Sequence, residues 1–428
     1  MKYNQNHKIS QIAENTLVVG VDIAKKKHYA RAFDYRGMEL DKVIKFKANG
    51  GGFESFINWT ESVAKAHGKK KIVVGIEPTG HYWYTFGRAV IDRGLMLVQV
   101  NPYHVKKTKE LDDNTPSKSD YKDPKTIAFL VKDGRYQIPY MPDGKYAELR
   151  KANNLREEWV QKKIRVKNKV TRWLDIHFPE FLNAFSSWEG KTALMTLGKI
   201  ALPEKIASKT PEEILCIWRK EVRRGVGIKK AEKLVKEAQN SVGIREGAQM
   251  AEYEIKLLIK EYMEIREVLE DMERKLEKIV LTIPGANRFL EIKGVGIKTV
   301  AGFFAEIGDI KRFTSAKQII KLAGLNLRQN SSGQHKGETT ISKRGRSRLR
   351  ALLFRAILPI VATNEVFNKL HHDNISQKER PMKKMQSLIA LCCRLIRIVY
   401  SLITKDQEFD PDKLIRDIHR DDALQGAA

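Results

Sequence analysis

Cysteine is nearly absent: Cys216, Cys392 and Cys393 are the only three in 428 residues, and two of them are neighbours. Adjacent cysteines rarely bridge each other, so a disulfide framework is excluded and a reducing compartment is expected. No Cys and His spacing suggests zinc. A long uninterrupted apolar run is missing too. The most apolar tract, MQSLIALCCRLIRIVYSLI (385–403), carries Arg394 and Arg397 in its middle, and MKYNQNHKISQIAENT at the start has no apolar stretch before a small-residue cleavage site. These features argue against a membrane span and a secretory signal, and the chain reads as a soluble cytoplasmic protein.

Acidic residues are outnumbered, 52 Asp and Glu against 79 Lys and Arg, for a formal charge of +27. A surplus of that size points to a polyanionic partner bound through counterion release. A membrane surface would favour one amphipathic anchor helix. Here the cations recur from Lys25 to Arg420, which favours nucleic acid. The length exceeds one ordinary core, so two or three domains are expected.

The first part of the chain alternates strand and helix patterns. TLVVGVDIA (16–24) is a buried strand, with KKHYARAFD (26–34) and KVIKFKA (42–48) as hairpin partners. FESFINWTESVAKA (53–66) has helical spacing. The strand KIVVGIE (71–77), a helix from about Tyr82 to Arg93, the strand LMLVQV (95–100), a polar loop (101–119) and the helix DPKTIAFLVKDG (123–134) follow. Three strands, helix, strand, helix, strand is the order of a ribonuclease-H-like sheet. The expected fold class is therefore α/β plus all-α: a ribonuclease-H-like domain over 1–140, a helical region over 141–280, a mostly helical domain over 281–405 and a tail over 406–428.

Strand signals vanish between about Lys145 and Val280. Ile255, Leu258, Tyr262, Ile265, Leu269, Met272, Leu276 and Ile279 follow alternating spacings of three and four, a heptad seam over about 250–280. It serves a coiled coil, within the chain or between two copies, or a long helix packed on its own domain. Beyond Pro284-Gly285, EIKGVGIKTVAGFFAEIGDI (291–310) sets a Gly-Val-Gly turn before an apolar helix. Such a turn offers backbone N–H groups to a phosphate, or packs two helices together. A short helix (315–323), the basic loop LRQNSSGQHKGETTISKRGRSRLR (327–350), a helix from about Arg346 to Thr363 and a core-facing helix (383–403) complete the pattern. The tail from Lys405 reads as poorly ordered.

Four carboxylates stand out by position. Asp22 lies inside the first strand and Glu77 ends another, where a buried charge is costly without a cation. In a ribonuclease-H-like sheet these strands lie side by side, and like charges that close need a metal. Asp120 and Asp123, three residues apart at a helix start, share one face if that turn is helical. Capping is the competing use, since Asp suits caps and Pro124 suits a first turn. The set as a whole has the layout of a site for two divalent ions, able to activate a nucleophile and stabilise the leaving oxygen of a phosphodiester. His28, His81 and His104 read as ordinary surface or core residues. Tyr82, Trp83 and Tyr84 start a helix and pack on the sheet, with base stacking as the alternative.

At these residues the chain resembles a known family. VVGVDIAKKKHYARAFD, VVGIEPTGHYW with VNPYHVKKTKE behind it, and SKSDYKDPKTIAFLV resemble the N-terminal DEDD domain, RuvC-like and akin to Holliday-junction resolvases, of insertion-sequence transposases of the IS one-ten / IS eleven-eleven group. The stretch IKGVGIKTVAGFFAEIGDIKRFTSAKQIIKLAGLNLRQNSSGQHKGETTISKRGRSRLRALLFRA is similar to that group's second domain. The resemblance covers about 16–134 and 281–365 and implies that Asp22, Glu77, Asp120 and Asp123 bind magnesium, with manganese as a substitute. It also implies that a serine of the basic loop joins covalently to DNA: Ser332, beside the flexible Gly333, ahead of Ser331. Arg328, Lys336, Lys343, Arg344, Arg346, Arg348 and Arg350 would hold phosphates around it. Gln334-His335 and Pro124 depart from the family pattern.

The implied partners are double-stranded DNA at element ends and target, and a structured guide RNA encoded with the element. A homodimer or tetramer formed through the coiled coil, in a prokaryotic cytoplasm at the nucleoid, completes the expectation. Two other readings remain: a metal-dependent Holliday-junction-type nuclease in which water attacks, and a non-catalytic basic dimer that binds nucleic acid.

Overall fold

The computed structural model describes residues 5–112, 122–222, 226–328, 331–332, 335–336, 339–377 and 381–411. The chain divides into two compact units, Met1–Met141 and Pro142–Ala428. The first contains α1 (Gln5–Ser10), β1 (Thr16–Asp22), β2 (Lys27–Phe33), β3 (Ile44–Lys47), α2 (Gly50–Ala66), β4 (Lys71–Ile76), α3 (Trp83–Asp92), β5 (Met96–Val100), α4 (Pro102–Asp112), α5 (Asp123–Lys132) and β6 (Tyr136–Gln137). Its sheet has the order β3-β2-β1-β4-β5-β6. The first three strands are antiparallel, β4 and β5 run parallel to β1, and β6 turns back against β5.

The unbroken apolar run of β1 follows from its central place, with helices covering both faces. Leu17, Val19 and Val21 share one core with Phe53 and Phe56 of α2 and Phe86 of α3. Val18 belongs to the opposite core, with Ile127, Ala128 and Val131 of α5. Asn49 caps α2, its Oδ1 accepting from the Gly52 N–H at 2.9 Å. Two differences from the sequence reading have local causes. The polar stretch expected to be a loop over 101–119 is helical from Pro102 to Asp112. Its signature was Asn101-Pro102: the Asn101 side-chain Oδ1 accepts from Tyr103 N–H at 3.0 Å, and Pro suits a first turn. The two-residue β6 is too short to show any alternation.

The second unit is helical apart from short hairpins. It contains α6 (Gly144–His177), α7 (Phe181–Ala184), α8 (Lys191–Lys199), α9 (Pro203–Ala207), α10 (Pro211–Arg219), α11 (Ile228–Gln239), α12 (Ala248–Leu281), α13 (Ala286–Leu290), α14 (Ile297–Ile307) and α15 (Ala316–Leu322). After the strands β7 (Leu327–Arg328), β8 (Ser331–Ser332), β9 (His335–Lys336) and β10 (Thr340–Ile341) come α16 (Ser347–Thr363), α17 (Glu365–Ser376) and α18 (Lys384–Lys405). The sequence reading has no counterpart for α17. Asn364 supplied its signal, since this side chain accepts from the N–H groups of Val366 and Phe367 at 3.2 and 3.4 Å.

The heptad seam finds its partner in this unit. Lys145 Nζ donates to the Thr282 carbonyl at 2.9 Å, Arg156 Nη2 lies 3.5 Å from Glu273, and Trp173 Nε1 donates to the Ala251 carbonyl at 2.8 Å. Rising residue numbers on α6 thus meet falling ones on α12, so the two helices pack antiparallel. Ile255, Leu258, Tyr262, Ile265 and Leu269 are buried in one core with α8, α10 and α11, and Leu276 in a second core with α14, α16 and α18. Among the described helices α18 is long and apolar enough to cross a membrane by length and composition. Leu391, Cys392, Leu395, Ile396 and Val399 bury one of its faces in the second core, and Arg397 is exposed.

Candidate active site

The carboxylates of the first unit are set by register. β1 and β4 pair in parallel with Val21 opposite Ile76, so Asp22 and Glu77 are the next residues along adjacent strands. Parallel partners in register share a face. That face is the one covered by α5. A Cβ on Gly20 would stand 1.9 Å from the Pro124 carbonyl oxygen, and one on Gly75 would stand 2.5 Å from Val131 Cγ2. Both strands therefore carry glycine where α5 rests on them, two residues before Asp22 and Glu77. The close approach brings Asp123, the first residue of α5, to the same edge of the sheet.

Electrostatics tie these groups together. Burial pushes the Glu77 carboxyl above its ordinary range, the nearby Lys109 ammonium opposes the shift, and the negative charge of Asp123 adds to it. Lys109, on α4, holds Asp123 Oδ1 at 2.5 Å. The residue capping α5 is Lys122, which makes no side-chain cap bond. Asp123 therefore begins the helix and faces a cation. Asp120 lies outside the described residues.

His28 is a core residue, one of the two expected placings, and it also supports a neighbouring turn. It is fully buried, and its Nδ1 accepts from the Ala24 N–H at 3.2 Å, which anchors the turn leaving Asp22. The ring stacks on Phe53 at 5.9 Å, and burial lowers its pKa to about 4, so it is neutral at physiological pH. Trp83 packs into the core as expected, whereas Tyr84 is exposed. Lys109 carried no signal beyond residue type, because it acts through Asp123 on another helix, whereas His28 lies four residues from the Ala24 N–H it accepts from.

All-oxygen donors such as Asp22, Glu77 and Asp123 suit a hard divalent cation in chemistry. Among the described residues, no group of three or more His, Cys, Asp or Glu side chains has an arrangement that could hold a metal.

In the second unit the basic loop is a two-tier hairpin. Arg328 pairs with Thr340 and Leu327 with Ile341, and further out Ser331 pairs with Lys336 and Ser332 with His335. Both serines thus belong to the outer strand pair, next to residues 333–334, which lie outside the described residues. The base is tightly closed. Lys343 N–H donates to the Gly324 carbonyl at 3.0 Å and Arg346 N–H to the Leu322 carbonyl at 2.7 Å, while a Cβ on Gly345 would stand 2.4 Å from the Leu322 oxygen. Of the seven cations singled out, Arg346 bonds Glu306, Arg348 bonds Asn154 Oδ1 at 2.7 Å, and Arg350 bonds the Ala323 carbonyl at 3.0 Å. Arg328, Lys343 and Arg344 are exposed. Gly294 of the Gly-Val-Gly turn approaches α16 closely, since a Cβ there would meet Thr363 Oγ1 at 2.7 Å.

A mixed sheet with acids at the ends of adjacent parallel strands, followed by a helical unit with a basic hairpin, defines a class that the comparisons name. A family model described as "Transposase", of the DEDD type, matches residues 19–179, and one described as "Transposase IS116/IS110/IS902 family" matches residues 286–372. Between them they span more than half of the chain, which belongs to the IS110 family of transposases. The "Transposase for insertion sequence element IS1111A" of Coxiella burnetii is 29% identical over 147 residues, 33% of this chain and 39% of that protein. The "Pilin gene-inverting protein" of Moraxella bovis is 33% identical over 129 residues, 29% of this chain and 38% of that protein. The aligned stretches thus span less than half the length of these two relatives. An "Insertion element IS116 uncharacterized 44.8 kDa protein" of Streptomyces clavuligerus is 21% identical over 92% of this chain and 96% of its own.

Proposed function

We propose that this chain is a DNA transposase that cuts and rejoins strands, with a ribonuclease-H-like carboxylate centre in its first unit and a nucleophilic serine in its second. The observation that carries the reading is the placing of Asp22, Glu77 and Asp123, drawn from three separate stretches, at one edge of the sheet, with Glu77 sensing the charge of Asp123. The strand order β3-β2-β1-β4-β5, with three antiparallel strands and two parallel ones, supports the ribonuclease-H-like assignment.

Asp22, Glu77 and Asp123, joined by Asp120, are the proposed ligands of magnesium, for which manganese would substitute. Such an ion supplies Lewis-acid polarisation of a phosphate oxygen. Glu77 must be ionised to serve, and Lys109 favours that state. Ser332, or its neighbour Ser331, forms the new bond from Oγ to phosphorus as the bond from phosphorus to the departing strand breaks. The serine proton passes to solvent, and the departing oxygen takes one up. Attack by a DNA hydroxyl on the serine ester then joins strands and restores the alcohol. Arg328, Lys343 and Arg344 hold phosphates at the hairpin base together with Lys336, Arg346 and Arg348, while Arg350 also braces that base through the Ala323 and Lys343 carbonyls.

The formal charge of +27 supports two polyanionic partners, duplex DNA and a structured guide RNA that reads sequence by base pairing. Self-association through α12 would draw on its exposed Met250, Tyr253 and Leu257, because the heptad seam is already buried within the chain.

The test is to trap the intermediate. Protein incubated with element-end DNA, co-purified RNA and magnesium should yield a protein–DNA adduct that survives denaturation. Ser332→Ala should abolish the adduct, and Asp22→Ala or Glu77→Ala should abolish all cleavage. Cleavage without an adduct would instead show that water attacks. A mixture of the serine variant and an acid variant that regains cleavage would show the two functions acting from different chains.

A further inference from the structure

One surface of the second unit is unusual in its charge. From Trp159 to Leu174, α6 contains no acidic residue and six cations. Lys162, Arg165, Lys169 and Arg172 recur at spacings of three, four and three, which gathers them within an arc of about 80° on the helix. All four are exposed, whereas Val166, Val170, Trp173 and Leu174 bury the adjoining face against the α12 core. Lys162 lies over the Trp159 ring, 4.2 Å from its centroid. Lys167, off the stripe, is committed to Glu189 at 2.6 Å. Among the described residues, Arg165, Lys169 and Arg172 take no ion-pair partner.

Four like charges on successive turns repel one another and do nothing for the helix. Their row is rigid, because α6 is anchored along its length by α12, and it extends over about 15 Å. A straight, evenly spaced row of cations matches a regular row of anions. Duplex DNA, the substrate of the transposase reading, is the occupant taken here, and a folded RNA stem, which also offers regular phosphates, is an outcome of the test. We propose that this stripe on α6 is a docking rail for the phosphate backbone of double-helical DNA. It contacts the backbone, not base edges, and so contributes affinity without sequence preference. The inference rests on the transposase reading and adds to it a surface apart from the basic hairpin.

The experiment measures binding of the full chain to a random-sequence DNA duplex by fluorescence anisotropy across a range of NaCl concentrations. The variant Arg165→Gln/Lys169→Gln/Arg172→Gln keeps helix propensity nearly unchanged. Its slope of log Kobs against log salt should be shallower than that of wild type by about 3, as three lost phosphate contacts require. A charge-matched control, Lys229→Gln/Lys233→Gln/Lys236→Gln on the exposed face of α11, should change the slope by less than about 1. Equal effects of the two variants would overturn the rail while leaving the transposase reading intact, because the loss would then reflect net charge alone. A loss confined to a folded RNA hairpin, with duplex DNA unaffected, would also overturn it. Wild-type protein that fails to bind duplex at all would overturn the rail and the transposase reading together.

Discussion

Gly20→Ala is the sharpest test of how the carboxylates are assembled. The added methyl group would stand 1.9 Å from the Pro124 carbonyl oxygen, 2.8 Å from Ala128 N and 2.9 Å from Pro124 C. All three are backbone atoms of α5, so no side chain can rotate out of the way. To open the shortest contact even to 3.0 Å, strand and helix must separate by more than 1 Å. Overpacking of this kind costs about 1–3 kcal/mol in a closely packed core. Pro124 adjoins Asp123, so the displacement falls on a proposed ligand, and a misplacement of about 1 Å costs on the order of 100-fold in rate. Urea denaturation and strand cleavage measured side by side should therefore show a modest loss of stability and a much larger loss of activity. Gly51→Ala provides the contrast: nothing lies within 4 Å of its Cβ in the first turn of α2, and it should stabilise by about 0.5–1 kcal/mol. A Gly20→Ala protein that cleaves DNA at the wild-type rate would refute the argument that close seating of α5 positions Asp123.

Three further outcomes follow from the same geometry. The folded-state pKa of Glu77 is raised, so its contribution to stability is present at low pH and is lost as pH rises through that value; Glu77→Gln, which cannot ionise, should gain Tm relative to wild type over that rise while losing cleavage. Lys109→Met removes the charge that opposes the shift, so the fall in Tm with rising pH should run to higher pH and go deeper than in wild type; an unchanged Tm profile would show that Lys109 does not act on Glu77. In the helical unit, Trp218 is fully buried and donates from Nε1 to Thr196 Oγ1 at 2.9 Å, so Thr196→Val should cost about 1–3 kcal/mol in urea denaturation through the unsatisfied indole N–H.

Some of this was legible in the sequence for identifiable reasons. The β1 run TLVVGVD and the β4 run KIVVGI announce central strands, and the acid at the end of each is conspicuous because charge is costly there. Gly20 and Gly75 gave no signal, since the need for a missing Cβ arises only once α5 lies on the sheet. α4 stayed hidden because just one of the side chains described on it, Val105, is buried. The heptad spacing gave the period of α12 but not its partner, which α6 supplies from between 78 and 137 residues upstream. Two-residue strands cannot show alternation, so the serine hairpin read as a loop.

Folding alone would not select the charges gathered at the ends of β1 and β4. Glu77 is desolvated and shares its surroundings with a like charge, Asp123, both of which disfavour its ionised form. A glutamine of the same shape would avoid both penalties. The cation that partly relieves them, Lys109, comes from α4, whose polar sequence leaves it little to bury. Local rules are broken in this way where a site must hold negative charge ready for a ligand, and the stability lost there is made good by the cores that flank β1 on either face.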